Sequence, residues 1–285
     1  MNRIRLFNRL SFFFILVFLS CATQTNSGVQ KVESELTVKR IDTEEIYEIR
    51  DYTMKPEILD DYFHWVKNHF VPFAETKIDL ISFWGNTGSD AVVSGSNPFV
   101  SPNGQHNVTW VAKYKNKKER DLFYSSLVDT NQQWAKVWDA HPNPKAYIHS
   151  NSRFFKSVGT INKPGNQDTN SIFEIRDYTM EPTVLEAYLI WAKNYFIPFA
   201  KNKIDIISFW GSKGINSEVS GSNPITSPNG QPNVTWVAKY RNKEERDTFY
   251  ASLVDKNEEW AKVWAAHPNP KAYIHNNSRF FKSVK

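Results

Sequence analysis

On the strand expected over residues 46–54, alternate side chains share a face, which puts Glu48, Arg50 and Tyr52 in one row and Tyr47 and Ile49 in the other. A carboxylate, a guanidinium and a phenol in line are the groups that orient an anionic or polar small molecule. A second row, Tyr147, His149, Asn151 and Arg153, lies on one face of the strand expected over 146–155. The chain then supplies the set again as Glu174, Arg176, Tyr178, His275, Asn277 and Arg279. Packing of Tyr47 and Ile49 beneath helices would turn the Glu-Arg-Tyr row to the opposite sheet face, where it meets the row of the last strand. Two readings stay open: a Glu48–Arg50 network that fixes strand register, and a pocket oriented by Arg50 and Arg153 with Tyr and Trp walls. Either way the charges must be satisfied, because an unpaired buried charge costs several kcal/mol.

His149 and His275 are the weak catalytic candidates, as proton carriers beside a glutamate or as haem or metal ligands. A lone histidine on a strand is more often a hydrogen-bonded structural residue. His141, in His141-Pro142-Asn143-Pro144, is placed as a helix C-terminal cap whose partly protonated ring would suit the helix dipole. There is no H-x-x-x-H, no second cysteine and no compact Asp/Glu cluster, so no metal is expected. Phosphate loop, nucleophile elbow and Rossmann glycines are missing as well, and no cofactor is expected.

The elements that carry these rows occur twice. Residues 46–158 match 172–284 without a gap, each residue pairing with the one 126 positions on, and about seven positions in ten are identical. Each copy reads as strand, a helix opened by Pro56, strands over 78–84 and 108–114, a helix over 117–140 broken near Asp129-Thr130-Asn131, and a last strand. The order βαββαβ predicts an α+β fold, a ferredoxin-like sheet with both helices on one face. Two such sheets packed face to face close a barrel within one chain, and a monomeric pseudo-dimer is expected. Of the ten tryptophans most fall at core-like spacings, with an exposed one near a long loop a candidate for stacking on a ligand. Those loops, 86–105 and its repeat 212–231, exceed the ~12–15 residues usual in compact domains; an ordered surface excursion is the leading reading, a lid or binding loop the other.

Composition bounds the rest. With 40% hydrophobic and 23% charged residues the chain is globular, and a net charge of +5 without a basic block makes nucleic acid a poor partner. Arg3, Arg5 and Arg9 precede an apolar run from Phe12 to Leu19, too short to span a bilayer, so 1–21 reads as a signal peptide. Cys21, the only cysteine, ends that run in a lipobox-like setting, which predicts lipidation, with the membrane as partner and the bacterial cell envelope as location; plain secretion is the alternative. Residues 22–45 form a polar tether and 159–171 a linker between repeat 1 (46–158) and repeat 2 (172–285).

The string Glu48-Ile49-Arg50-Asp51-Tyr52-Thr53, a Pro-started helix, Ile81-Ser82-Phe83-Trp84-Gly85, Trp110-Val111-Ala112-Lys113-Tyr114, Glu119-Arg120-Asp121 and then Trp134 resembles the NIPSNAP family across both repeats. The resemblance implies the dimeric α/β-barrel superfamily, which also holds cofactor-free monooxygenases and haem-degrading enzymes. It supplies no agreed catalytic residues, and shared fold is not shared chemistry. The signal peptide and the long loop depart from the family pattern. The expectation is an envelope-anchored small-ligand-binding or interaction module, leaning away from an enzyme. A cofactor-independent monooxygenase or haem-handling enzyme is the alternative, and a purely structural envelope protein a third class.

Overall fold

The computed structural model describes residues 44–86, 88–127, 131–159, 171–253 and 257–284. The signal peptide, Cys21, nearly all of the tether and residues 160–170 of the linker lie outside the described residues. The first repeat runs β1 (Ile46–Met54), α1 (Leu59–Trp65), a π-helical turn (Val66–Phe70), α2 (Val71–Glu75), β2 (Asp79–Asn86), β3 (Val92–Ser94), β4 (Val108–Tyr114), α3 (Lys117–Ser125), α4 (Gln132–Asp139) and β5 (Tyr147–Ser157). The second follows as β6 (Ile172–Met180), α5 (Pro182–Trp191), a π-helical turn (Ala192–Phe196), α6 (Ile197–Lys201), β7 (Asp205–Ser212), β8 (Glu218–Ser220), β9 (Val234–Tyr240), α7 (Lys243–Ala251), α8 (Glu258–Ala265) and β10 (Tyr273–Ser283).

Local chemistry accounts for the helix boundaries. Pro72 has no N–H to offer the carbonyl four residues back, and the helix absorbs the missing bond as a π turn just before it. The expected break in the second helix is a new start: Asn131 accepts the Trp134 N–H at 3.0 Å and caps α4, as Asn116 caps α3 through the Glu119 N–H at 2.9 Å.

Each repeat forms an antiparallel sheet in which the last strand lies beside the first, then the third core strand, then the second: β5-β1-β4-β2 and β10-β6-β9-β7. Phe281–Ser283 of β10 pair with Trp84–Asn86 of β2, and Phe155–Ser157 of β5 with Trp210–Ser212 of β7. Those two joints close a ring of eight strands inside one chain.

Both long loops are ordered where described, and each crosses to the other repeat. β3 pairs with Asn276–Ser278 of β10, and β8 with Ser150–Ser152 of β5. They meet through Asn97 Nδ2 donating to Asn229 Oδ1 (2.7 Å) and Asn223 Nδ2 to Asn103 Oδ1 (3.0 Å). Gly95 and Gly221 take φ of +124° and +125° just after β3 and β8, where a Cβ would strike the carbonyls of Ile274 and Ile148.

Candidate functional site

The parity of the first strand is the reverse of the expected one. Tyr47, Ile49 and Asp51 point into the barrel, while Glu48, Arg50 and Tyr52 lie on the outer face beneath the helices, and Glu174, Arg176 and Tyr178 do the same in the second repeat. The helices explain why. Arg120 of α3 donates through Nε (3.0 Å) and Nη2 (2.5 Å) to Glu48 Oε1, and Tyr124 donates to Oε2 at 3.1 Å. Helix α3 thus brings the partners that a fully buried Glu48 requires, so the outer face can hold a carboxylate. Consequently Glu48 is opposite Phe154, not beside His149, and the two predicted polar rows do not meet.

Of the last-strand row, His149, Asn151 and Arg153 enter the barrel, whereas Tyr147, beyond a register shift in the ladder with β1, packs on the outer face against Tyr52 and Tyr62. Arg153 and Arg279 form a closed ring with Asp51 and Asp177, residues that strand parity had hidden. Arg153 Nη2 meets Asp51 Oδ2 at 2.7 Å and its Nη1 meets Asp177 Oδ1 at 3.0 Å; Arg279 meets Asp177 Oδ2 at 2.6 Å and Asp51 Oδ1 at 3.0 Å. Thr109 and Thr235 donate to Asp51 Oδ1 and Asp177 Oδ1 at 2.6 and 2.5 Å. Burial would raise the Asp51 carboxyl, but Arg279 and Arg153 outweigh it and hold the group far below the usual range. Two positive and two negative charges cancel, which is how four ions tolerate a site at most 3% exposed.

On one side of this ring the interior is packed by Tyr47, Ile49, Trp84, Phe155 and their counterparts. On the other lies a cavity of about 90 Å³, bounded by His106, His149, His275, Asn151 and Asn277 beneath the crossing loops. His149 Nδ1 accepts the Ile225 N–H and His275 Nδ1 the Phe99 N–H, each at 3.1 Å, so each imidazole is a fastening for the loop of the other repeat. Burial lowers both rings below the ordinary histidine value, against a smaller opposing pull from Asp51 or Asp177. His106, stacked on His149 at 5.3 Å, is pushed down to about 3, chiefly by burial. His141 also departs from its expected charge: packed on Trp65 and Trp138 at 4.5 and 4.7 Å, it is driven by burial to about 4 and is neutral near pH 7.

A larger cavity, about 340 Å³, lies on the outer face of the first repeat's sheet under α3 and α4. Its walls are aromatic: Trp65 and Phe70 stacked at 5.7 Å on either side of the junction of α1 with the π turn, Trp134 and Trp138 stacked at 5.6 Å on α4, with Trp110 and Tyr147 from the sheet. Arg50 lies in this lining. Its guanidinium lies 4.7 Å from the Tyr124 ring and 5.6 Å from that of Trp110, and its buried Nε has no hydrogen-bond partner. Tyr52 Oη accepts from Trp110 Nε1 at 3.0 Å, which leaves its own hydrogen to donate. Of the sequence candidates, this cavity gathers Arg50 and Tyr52. Asn151 and Arg153 lie in the barrel with Asn277 and Arg279, and Glu48 lies behind the cavity wall. The tryptophan pair on α4, four residues apart and amphipathic, was the signal for the cavity that the strand rows did not give.

By sequence, no protein-family model and no curated protein matches the chain. By structure it is similar to a provisionally assigned monooxygenase from Lactobacillus acidophilus, with 10% identity over 85% of this chain and 95% of that one and a TM-score of 0.51. A provisionally assigned monooxygenase from Fusobacterium nucleatum aligns at 8% identity over 85% and 94%, with a TM-score of 0.53. An uncharacterised NIPSNAP-like domain protein from Burkholderia xenovorans covers 44% of this chain and 97% of its own at 12% identity, with a TM-score of 0.33. The chain has the dimeric α/β-barrel fold.

The haem-handling alternative that the sequence resemblance raised can be tested on the residues present. In this α/β barrel, His149 and His275 open on about 90 Å³, well under the ~300–1,000 Å³ of ordinary ligand pockets, and their Nδ1 atoms are already bonded to the loops. A porphyrin does not fit there. The 340 Å³ cavity has no histidine in its lining.

Proposed function

We propose that this chain is a ligand-binding module, NIPSNAP-like in lineage, that holds one planar, largely apolar small molecule bearing an oxygen acceptor such as a carboxylate or phenolate. The observation that carries the reading is Arg50: a buried Nε without a hydrogen bond, 3.9 Å from Glu48 Oε1, in the wall of an aromatic cavity of ligand size. An apolar ring would stack among Trp65, Trp110, Trp134 and Trp138 while its acceptor takes the Arg50 and Tyr52 donors. The lining favours binding over turnover. Proton abstraction needs a group that titrates near neutral pH. Here the ionisable lining groups are Arg50 and tyrosines such as Tyr52 and Tyr62, whose pKa values are raised by burial, with no histidine or carboxylate among them. The same proposal places the module in the bacterial envelope, tethered through a lipid on Cys21. The tether and the lone cysteine of the sequence support that placement.

Anilinonaphthalene sulfonate, an aromatic anion, is a suitable probe. Titrated into the full mature chain, it should bind with enhanced fluorescence at one site per chain, and Arg50→Met should weaken that site about tenfold or more, the worth of a charge-assisted hydrogen bond. Absence of binding, or equal binding to Arg50→Met, overturns the reading. For the anchor, Cys21→Ala should release the protein from membranes to the soluble fraction; a wild type already soluble overturns it.

A further inference from the structure

The 340 Å³ cavity is not made by the first repeat alone. Ser220 and Gly221, at the end of β8 in the second repeat, line it beside Ser150, to which Ser220 is directly paired in register. The segment carrying them is held by a ladder three residues long, which by itself contributes little. Backbone bonds from the Ser222 and Asn223 N–H groups to the carbonyls of Tyr147 and Ile148 extend that ladder, and Glu218 fastens the segment to the helix side. Its carboxylate lies 2.6 and 2.9 Å from Arg120 Nη2 and Nη1 and 3.0 Å from Lys117 Nζ, both on α3, the helix that roofs the cavity. With Glu218 in place the Arg120 side chain is 6% exposed, against 12% for its counterpart Arg246. The residue equivalent to Glu218 in the first repeat's loop is Val92, which has no charge to offer Arg246.

Resting on the ligand-site reading above, we propose that β8 is the outer wall of that site and Glu218 the latch that governs ligand exchange, so that the second repeat serves the first as a gate and receives no equivalent service in return. The latch shares a charge network with the ligand donor. Arg120, gripped by Glu218 on one side, bonds Glu48 on the other, and Glu48 holds Tyr124, whose ring faces the Arg50 guanidinium. A swinging β8 would break its three-residue ladder, the Ser222 and Asn223 N–H bonds to the carbonyls of Tyr147 and Ile148, and the half-buried ion-pair cluster, while the Ile225–His149 bond and the eight-strand ring stay whole, a local opening rather than an unfolding of the barrel. Because the wall must leave for a ligand to enter or depart, loosening it raises both rates and changes affinity little.

Stopped-flow mixing of anilinonaphthalene sulfonate with the full mature chain tests this. Glu218→Gln should raise association and dissociation rates together, each about fivefold to tenfold, and keep Kd within about twofold. Lys117→Gln should move both rates the same way by less, and Val92→Glu should leave them unchanged. Glu218 is 46% exposed, and an unchanged circular dichroism spectrum would show that its variant folds. Wild-type rates in Glu218→Gln, with Arg50→Met still weakening the probe, overturn the latch and leave the site standing. Binding that ignores Arg50→Met, or no binding by the wild type, overturns the site and the latch together.

Discussion

The two repeats meet their surroundings differently inside the barrel and outside it. Inside, Asp51 and Asp177 occupy matching places in one charge ring, each held by a threonine of its own repeat and by both arginines. Outside, Glu218 faces Arg120 while Val92 stands 48% exposed at the equivalent point, and Ser150 of the cavity lining is answered by Asn276. A closed ring of eight strands needs both halves, so a change in one half of the interior leaves charges of the other without partners. The outer faces are separate structures that can diverge one at a time. Identity between the copies therefore marks the demands of closure, and difference marks where a site can have been made or lost.

The most forceful way to break the symmetric half is to remove one member of the ring. Asp51→Asn should cost about 3–5 kcal/mol in urea unfolding, since it strands two guanidinium groups. Asp177→Asn should cost the same within experimental error, and the double variant less than the sum because the two share partners. A clearly unequal pair of costs would contradict a ring shared evenly by the repeats. Closure also implies that residues 44–159 alone would expose the β2 and β5 edges and the apolar inner face, so that fragment should self-associate while the mature chain runs as a monomer in light scattering.

The asymmetric half is sharpened by comparing Arg50→Met with Arg176→Met. Both side chains have an Nε without a hydrogen bond, 3.9 Å from a glutamate and against an aromatic wall, but the proposed ligand site includes Arg50 alone. Arg50→Met should lower affinity for anilinonaphthalene sulfonate about tenfold or more, and Arg176→Met should leave it within about twofold, by fluorescence titration. Equal losses would mean that both repeats bind.

Much of this fold was legible in the sequence. The gapless self-match, the βαββαβ order and the neighbouring first and last strands led directly to a barrel closed within the chain. The failure was one of parity. Strand β1 is amphipathic in both directions, because Ile46, Tyr52 and Met54 serve the helix side as well as Tyr47 and Ile49 serve the interior. Local pattern cannot choose between such faces; the choice is made by Arg120 and Tyr124, whose approach to Glu48 is a long-range contact. The same limit hid Asp51, whose partner Arg279 is 228 residues away in the chain. The strap at Glu218 was invisible for a related reason: a loop that crosses to the other repeat is written no differently from one that stays at home.

A smaller test of the comparison uses pH. His141 and His267, equivalent in the two repeats, are each pushed down to about 4 by burial, whereas in the unfolded chain they titrate near the ordinary value of 6.5. Between those values the unfolded state binds protons that the native state refuses, so stability is full above about pH 6.5 and declines as pH falls toward 4. His106 adds to the same limb and has Pro232 as its counterpart. Replacing it, His106→Gln, should flatten the fall of the urea midpoint between pH 6.5 and 4 by a share that no substitution at Pro232 can reproduce. An unchanged slope would show that His106 titrates alike in both states.

The gentlest probe is an exchange of the residues that differ most simply between the two outer faces. Ser150 borders the 340 Å³ cavity on β5, and its partner across the ladder is Ser220 of the strap. In the second repeat Asn276 faces Ser94 in the same register, with Nδ2 3.4 Å from the serine Oγ and Oδ1 left without a partner. Asparagine therefore fits this position without breaking the strap ladder, and Ser150→Asn should fold normally. Its carboxamide, however, would project from the wall into the cavity and bring an amide that must be solvated or bonded. A planar apolar ligand would lose contact area and displace that amide from water, and affinity for anilinonaphthalene sulfonate should fall about threefold. Asn276→Ser should not alter the affinity of the first site at all. If Ser150→Asn leaves binding untouched while Arg50→Met abolishes it, the ligand sits deep against the sheet and never reaches the wall supplied by the second repeat, and the strap would then have to act on the path of entry alone.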